Sequence, residues 1–315
     1  MRMKLSLVAP CYNEEGNVRL FCETAREVLK GIEYEIVFIN DGSKDHTYEE
    51  QRKIYDEHKE NITLINFSRN FGKEAGIYAG LTHAKGEFVC IIDTDMQQPI
   101  EVAREMLEFL EQNPEYDEVA AYQKARIENK LMTIAKDGFY WFINKMCDVD
   151  LYKSASDFRM MRRTVVKAIL QMSEYHRFSK GIFAWIGFNT YYRPYEVHER
   201  NSGTTSWSVS KLINYAIEGV VSFSTKPLRV VIKLGIGTSL LAFLYMIIVV
   251  IQKLAFGNEV PGYPTIIVLI LLIGGIQLTV LGIIGEYLSK VHIEVKNRPI
   301  YISKEILSYD PDQEE

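Results

Sequence analysis

Short apolar runs alternate with amphipathic stretches over the first third of the chain, and two long uncharged runs follow near its end. Lys4–Ala9, Glu35–Asn40, Thr63–Phe67 and Phe88–Ile92 are β-rich and bounded by turn residues, the pattern of strands. Between and after them, Asn17–Lys30, Thr47–His58, Lys73–Ala84 and Ile100–Glu111 carry helical spacing. This alternation predicts an α/β fold with a mostly parallel sheet covered on both faces. Ligands of such sheets bind beyond the carboxyl ends of the strands. Polar clusters lie there: Pro10-Cys11-Tyr12-Asn13-Glu14, Asp41-Gly42-Ser43, Ser68-Arg69-Asn70 and Asp93-Thr94-Asp95. No G-x-G-x-x-G follows the first strand and no Walker loop is present, which argues against a dinucleotide or P-loop site.

Leu234–Ile251 and Thr265–Ile284 are uncharged, each close to the roughly 20 residues needed to cross a bilayer. Lys233 can snorkel at the first edge, and Gln277 can bond a neighbouring helix. The turn Gln252–Pro264 holds one basic residue, Lys253, whereas the outer flanks hold Lys226, Arg229 and Lys233, and Lys290, Lys296 and Arg298. The positive-inside rule predicts a multi-pass protein whose two flanks, and with them the preceding domain and both termini, are cytoplasmic, the short turn facing out. The alternative is a pair of buried core helices. Upstream, Met132–Met146 and Trp207–Phe223 fit either interfacial amphipathic helices or ordinary core-facing ones. The expected division is a domain over 1–225, a membrane hairpin over 226–290 and a cytoplasmic tail over 291–315.

The 315 residues suffice for one large domain and an appendage. With 24% charged residues and a net charge of −5, bulk electrostatics give no sign of nucleic-acid binding. The four cysteines, Cys11, Cys22, Cys90 and Cys147, lack paired or metal-ligand spacing and read as buried small hydrophobes in a reducing compartment. Met1–Ala9 is too short for a signal peptide.

Two carboxylates one residue apart, at the end of an apolar run, suit a hard divalent cation holding a diphosphate. Asp95 is the first candidate ligand, and Asp93 either shares the ion or holds a ribose. Asp41 is a candidate acceptor for base or ribose, or a plain turn residue. Arg69 and Lys73 could reach phosphate or cap the following helix. Two membrane-length segments behind such a site suggest that the second substrate is a lipid.

Pro10–Val18 (P-C-Y-N-E-E-G-N-V), Asn40–Thr47 (N-D-G-S-K-D-H-T), Ser68–Ala75 (S-R-N-F-G-K-E-A) and Asp93–Pro99 (D-T-D-M-Q-Q-P) resemble the ordered motifs of glycosyltransferase family 2. The likeness is to its polyprenyl-phosphate glycosyltransferase branch, and it extends through the two spans to Arg298–Ile302. It implies a GT-A fold, inversion at the anomeric carbon, Mg²⁺ or Mn²⁺, a nucleotide-sugar donor and a polyprenyl phosphate acceptor. Carried over by motif, Pro10, Tyr12, Glu14 and Asp41 line the nucleotide pocket. Asp93 and Asp95 hold metal and diphosphate, and Gln97 faces the sugar. Asp157 falls at the position often called the catalytic base, Arg126 where the lipid phosphate binds, and Arg200 on a loop closing over the diphosphate. The chain departs from the pattern at Asn40, His46, Gln98 and the Ser-Gly-Thr-Thr-Ser-Trp run at 202–207, which blurs donor identity.

The resemblance favours glucose from UDP-glucose and undecaprenyl phosphate, with UDP-N-acetylglucosamine, UDP-galactose and GDP-mannose as alternatives. An ionised acceptor phosphate needs little base help, so Asp157 is expected to orient rather than deprotonate, unless it simply caps a helix. A processive polysaccharide synthase is disfavoured by the missing Gln-x-x-Arg-Trp. A non-catalytic nucleotide-sugar-binding membrane subunit is disfavoured by the intact acidic positions. The apolar spans are compatible with a homo-oligomer.

Overall fold

In β1 (Leu5–Cys11), Leu5, Leu7, Ala9 and Cys11 enter one buried cluster and Val8 enters another. In β2 (Tyr34–Asn40), Ile36 and Phe38 face the first cluster, and Val37 and Ile39 the second. With both faces buried, these strands read as continuous apolar runs rather than alternating ones. The computed structural model describes residues 3–123, 145–146, 155–196, 221, 224–256 and 262–309. β3 (Ile62–Phe67) and β4 (Phe88–Ile91) complete the four strands expected from sequence, and β1 lies parallel to both β2 and β4.

One face is covered by α1 (Val18–Val28), α2 (Thr47–Glu57) and α4 (Ile100–Gln112). α1 buries Val18, Phe21, Cys22 and Ala25, the i, i+3, i+4, i+7 stripe of an amphipathic helix. The other face is covered by α3 (Lys73–His83), α5 (Arg163–Gln171) and α6 (Ser179–Trp185). α3 sits directly on β1: a Cβ at Gly80 would lie 2.2 Å from Val8 Cγ1. That close approach fixes where the first residue of α3, Lys73, meets the sheet edge.

The described strands form one eight-stranded sheet. With β5 (Glu118–Gln123), β6 (Ala155–Arg162), β7 (Thr190–Tyr195) and β8 (Ser303–Ser308), the order is β7-β5-β6-β4-β1-β2-β3-β8. β6 is antiparallel to both β4 and β5, β8 is antiparallel to β3, and the remaining pairs are parallel. This is the mostly parallel, mixed sheet of a GT-A fold. β6 is anchored by a buried ion pair, Arg159 to Glu118 at 3.1 Å, with Thr190 Oγ1 donating to Glu118 and the Phe183 ring 3.5 Å from the guanidinium.

α7 (Lys226–Phe256) and α8 (Tyr263–Val295) contain 31 and 33 residues. At about 1.5 Å per residue they exceed the roughly 30 Å hydrocarbon core. Their apolar windows have mean hydropathy 2.5 and 2.0 and are unburied, so they are not core helices and are long and apolar enough to cross a membrane. Hydrogen bonds tie the base of this hairpin together and its C-terminal end to the sheet domain. Lys226 Nζ donates to the Lys145 carbonyl at 3.1 Å, and Tyr287 donates to the Ser224 carbonyl at 2.7 Å. Glu294 accepts the Tyr175 N–H at 2.8 Å.

The stretch 291–315, expected to be a tail, contains the edge strand β8. Just before it, Tyr301 stacks on Phe67 at 4.9 Å and the Ile302 carbonyl accepts the Ser68 N–H at 2.8 Å. Within β8, Glu305 accepts from Tyr48 and pairs with Arg52 at 3.0 Å. The candidate interfacial segments Met132–Met146 and Trp207–Phe223 fall outside the described residues, except 145–146 and 221.

Candidate active site

The loops after β1 and β2 are laced by short side chains. Asn13, at φ 57°, donates its N–H to Ser43 Oγ at 3.1 Å, and its side-chain oxygen accepts the Lys44 N–H at 2.9 Å. Thr47 Oγ1 accepts the Glu14 N–H at 2.7 Å, and the Glu14 carboxylate accepts from Asn17 at 2.6 Å. Tyr12 is left 42% exposed, the one large ring offered to solvent at this end of β1. Pro10 sits one residue before the end of β1.

Asp41 is buried and accepts two backbone N–H groups, Phe71 at 2.6 Å and Gly72 at 2.9 Å. Burial pushes its carboxyl up from the ordinary value, against the pull of those N–H groups and of Arg69. Asp41 therefore ties the loop after β2 to the loop after β3, and each oxygen keeps a further lone pair for a ligand. Gly42, at φ 62°, makes the crossing possible: a Cβ there would lie 2.5 Å from the Arg69 carbonyl carbon.

Asp93 follows β4, and Gln98 clamps it twice. The Gln98 side chain accepts the Asp93 N–H at 2.9 Å and donates to the Asp93 carboxylate at 2.9 Å. The buried amide at the position that departs from the family pattern thus holds Asp93 in place. Asp95 accepts the Gln97 N–H at 3.1 Å across Met96, which lies at φ 61°. The β4–β6 register pairs Ile91 with Arg159. Continued by two residues, it sets Asp157 opposite Asp93.

Lys73 joins these two acids. Its ammonium lies 2.6 and 2.9 Å from the two Asp93 oxygens and 3.3 Å from Asp157. Desolvation works against the ammonium, but Asp93 and Asp157 outweigh it and hold Lys73 charged above its ordinary range. Burial likewise opposes the Asp157 carboxylate, yet Lys73, Lys180 and Arg159 keep its pKa below the ordinary value. Next to it, Glu74 is pushed up to about 7 by burial and by the charge on Asp157, while accepting both the N–H and the hydroxyl of Ser179.

Pro10, Tyr12, Glu14, Asp41, Lys73, Asp93, Asp95, Gln97 and Asp157 thus share the loop-bearing edge of the sheet that the sequence pointed to. Arg126 and Arg200 lie outside the described residues. Gln98, Glu74 and Arg159 were not expected here, and only Gln98 carried a signal in sequence, as a departure. Among the described residues no grouping of three or more His, Cys, Asp or Glu side chains forms a self-sufficient metal cage. Cys11, Cys22 and Cys90 are buried free thiols; burial pushes Cys11 up to about 12 and Cys22 up to about 11.

The family profile described as Glycosyl transferase family 2 matches residues 6–170, and one described as GtrB C-terminal hairpin matches residues 226–291. The chain is 44% identical over 303 residues to the putative glycosyltransferase CsbB of Bacillus subtilis (strain 168), covering 96% of this chain and 91% of that one. It is 42% identical over 305 residues to the SfII prophage-derived bactoprenol glucosyl transferase of Shigella flexneri, covering 96% and 98%. Against the uncharacterized glycosyltransferase sll0501 of Synechocystis it is 39% identical over 316 residues, covering 99% and 98%. With its motifs on one sheet edge, a C-terminal hairpin matched over residues 226–291 and near full-length relatives, this chain is a glycosyltransferase and belongs to glycosyltransferase family 2.

Proposed function

We propose that this enzyme transfers glucose from UDP-glucose to polyprenyl phosphate, undecaprenyl phosphate in a bacterial membrane, with inversion at the anomeric carbon. One observation carries the reading: a single sheet bears Asp93, Asp95 and Asp157 at one edge and takes up, as β8, the chain that leaves a membrane-length hairpin. The relative named as a bactoprenol glucosyl transferase supports the sugar and the lipid.

The acceptor phosphate oxygen forms the new bond to the anomeric carbon while the bond to the uridine diphosphate breaks. A phosphate monoester has a second pKa near about 6 and is largely ionised at neutral pH. Asp157, held below the ordinary carboxylate range, is a poor proton acceptor, which supports an orienting role. Asp93 and Asp95 offer hard oxygen donors at the strand end. Asp93 and Asp95 would hold Mg²⁺ or Mn²⁺, hard ions suited to carboxylate oxygens. Such an ion, when bound, stabilises the charge of the diphosphate leaving group. Pro10, Tyr12, Glu14 and Asp41 contribute to the nucleotide pocket, and Gln97 faces the sugar. Arg126 and Arg200 take the lipid phosphate and the diphosphate on the strength of the family resemblance. Basic flanks on the domain side of both helices support a cytoplasmic catalytic domain at the inner membrane.

The test is transfer by purified full-length protein from a panel of labelled UDP-glucose, UDP-N-acetylglucosamine, UDP-galactose and GDP-mannose to undecaprenyl phosphate, counting label in the organic phase. Transfer from UDP-glucose that is lost with EDTA and in Asp95→Ala, but only reduced in Asp157→Asn, is expected. Transfer from another donor replaces the sugar. No transfer from any donor by folded protein overturns the reading.

A further inference from the structure

We propose that Lys73 is a resident cation of the acidic edge, one that surrenders Asp93 to a divalent ion only when a nucleoside diphosphate takes the ammonium over. The inference rests on the metal reading above and adds to it an order of binding. Lys73 Nζ lies 2.6 and 2.9 Å from the two Asp93 oxygens, while Gln98 donates to the same carboxylate at 2.9 Å. Asp93 is therefore already neutralised and already positioned. The same ammonium lies 3.3 Å from Asp157, so one positive charge serves two carboxylates on adjacent strands.

A divalent ion on Asp93 would bring like charges together, so the ammonium must leave that carboxylate. It can leave without disturbing the fold. The Lys73 side chain is 42% exposed, it stands at the first position of α3, and its four-carbon stem rotates freely. The diphosphate of a donor supplies oxygens that bind a lysine as a point charge. A bare divalent ion would have to break a charge-assisted ion pair, whereas an ion arriving with a nucleotide finds the ammonium re-partnered. Ion and nucleotide should then strengthen one another's binding by the same factor, since coupling is reciprocal.

The experiment measures Mn²⁺ binding by electron paramagnetic resonance of the free ion, on full-length protein in detergent, with and without UDP. Lys73→Met is compared with wild type and with Lys180→Met. The latter removes a charge that acts on Asp157 through space. We expect weak Mn²⁺ binding by the wild type alone and a strong increase with UDP. Lys73→Met should tighten Mn²⁺ binding without UDP by about tenfold and shrink the UDP effect by a similar factor, the scale of a charge-assisted contact. Lys180→Met should change it by less than about threefold, the scale of a screened charge. Lys73→Gln, which keeps a hydrogen-bond donor, should shift in the same direction and guards against a folding defect in the methionine variant. UDP-enhanced Mn²⁺ binding by the wild type with no tightening in either Lys73 variant overturns this inference alone. Absence of Mn²⁺ binding by the wild type even with UDP overturns the metal reading and this inference together.

Discussion

Replacing Tyr301 with alanine probes whether the segment leaving the C-terminal hairpin sets the donor side of the site. Tyr301 stacks on Phe67 at 4.9 Å, and Phe67 meets Phe71 edge-on at 5.7 Å. The Phe71 N–H is one of the two that hold Asp41, at 2.6 Å. Truncating a fully buried aromatic costs roughly 3–5 kcal/mol. Tyr301 is only partly buried, so about half of that applies, plus about 1 kcal/mol for the lost ring pair, giving about 2.5–3.5 kcal/mol. If half of this loosens the loop carrying Phe71 and Gly72, donor affinity falls by about tenfold. The assay measures apparent KM for nucleotide-sugar and for lipid separately, with thermal unfolding of the detergent-solubilised chain alongside. Tyr301→Ala should raise the donor KM and lower Tm while leaving the lipid KM unchanged. Tyr301→Phe keeps the stack and loses only the contact of its hydroxyl with His83, so it should restore both. An alanine variant with unchanged donor KM, or a phenylalanine variant as impaired as alanine, refutes the reasoning.

Gly42→Ala forces a Cβ to 2.5 Å from backbone while holding φ at 62°, and should weaken nucleotide binding measured by calorimetry by about tenfold or more, since the obstructing atoms cannot rotate away. Arg159→Met leaves the buried Glu118 carboxylate uncompensated, a loss of about 3–5 kcal/mol that should appear in chemical denaturation. Arg159→Met combined with Glu118→Leu should recover most of it. Glu74 is raised from 4.5 to about 7 in the folded protein, so its contribution to stability is fully present below pH 4.5 and is lost as pH rises through 7. Melting wild type and Glu74→Gln at pH 5 and pH 8 should show a smaller pH difference in the variant, and equal differences would remove Glu74 as the cause.

The strands that were legible in the sequence are those whose burial on both faces makes them largely apolar, β1 to β4. The others announce themselves poorly for separate reasons. β6 carries Asp157 and Arg159 among its apolar residues, because one face holds a buried ion pair and the site itself, and ends in Arg162, which donates to the Tyr116 and Leu110 carbonyls. β7 contains Pro194, tolerated because the strand lies at the sheet edge and needs hydrogen bonds on one side only. β8 is separated from its partner β3 by the whole hairpin, a distance no local pattern reports.

At the site, the identities of Asp93, Asp95, Asp157 and Lys73 were readable from motifs, but their union was not. It depends on an antiparallel neighbour of β4, which brings residues more than sixty positions apart opposite one another. Asp41 shows the reverse. Its turn chemistry and its expected ligand role were both visible, yet its hold on the Phe71 and Gly72 N–H groups comes from a loop crossing set by Gly42.

The position of β8 makes the two membrane-length helices an insertion within one folding unit rather than an appendage to a finished one. During synthesis the hairpin emerges before the last strand, so β3 waits with an open edge until the helices have been placed. Open strand edges invite pairing with other chains. A soluble version obtained by stopping before Lys226 would carry that exposed edge permanently and should aggregate. One that bridges Ser224 to Arg298 with a short flexible linker would let β8 dock and keep the sheet closed.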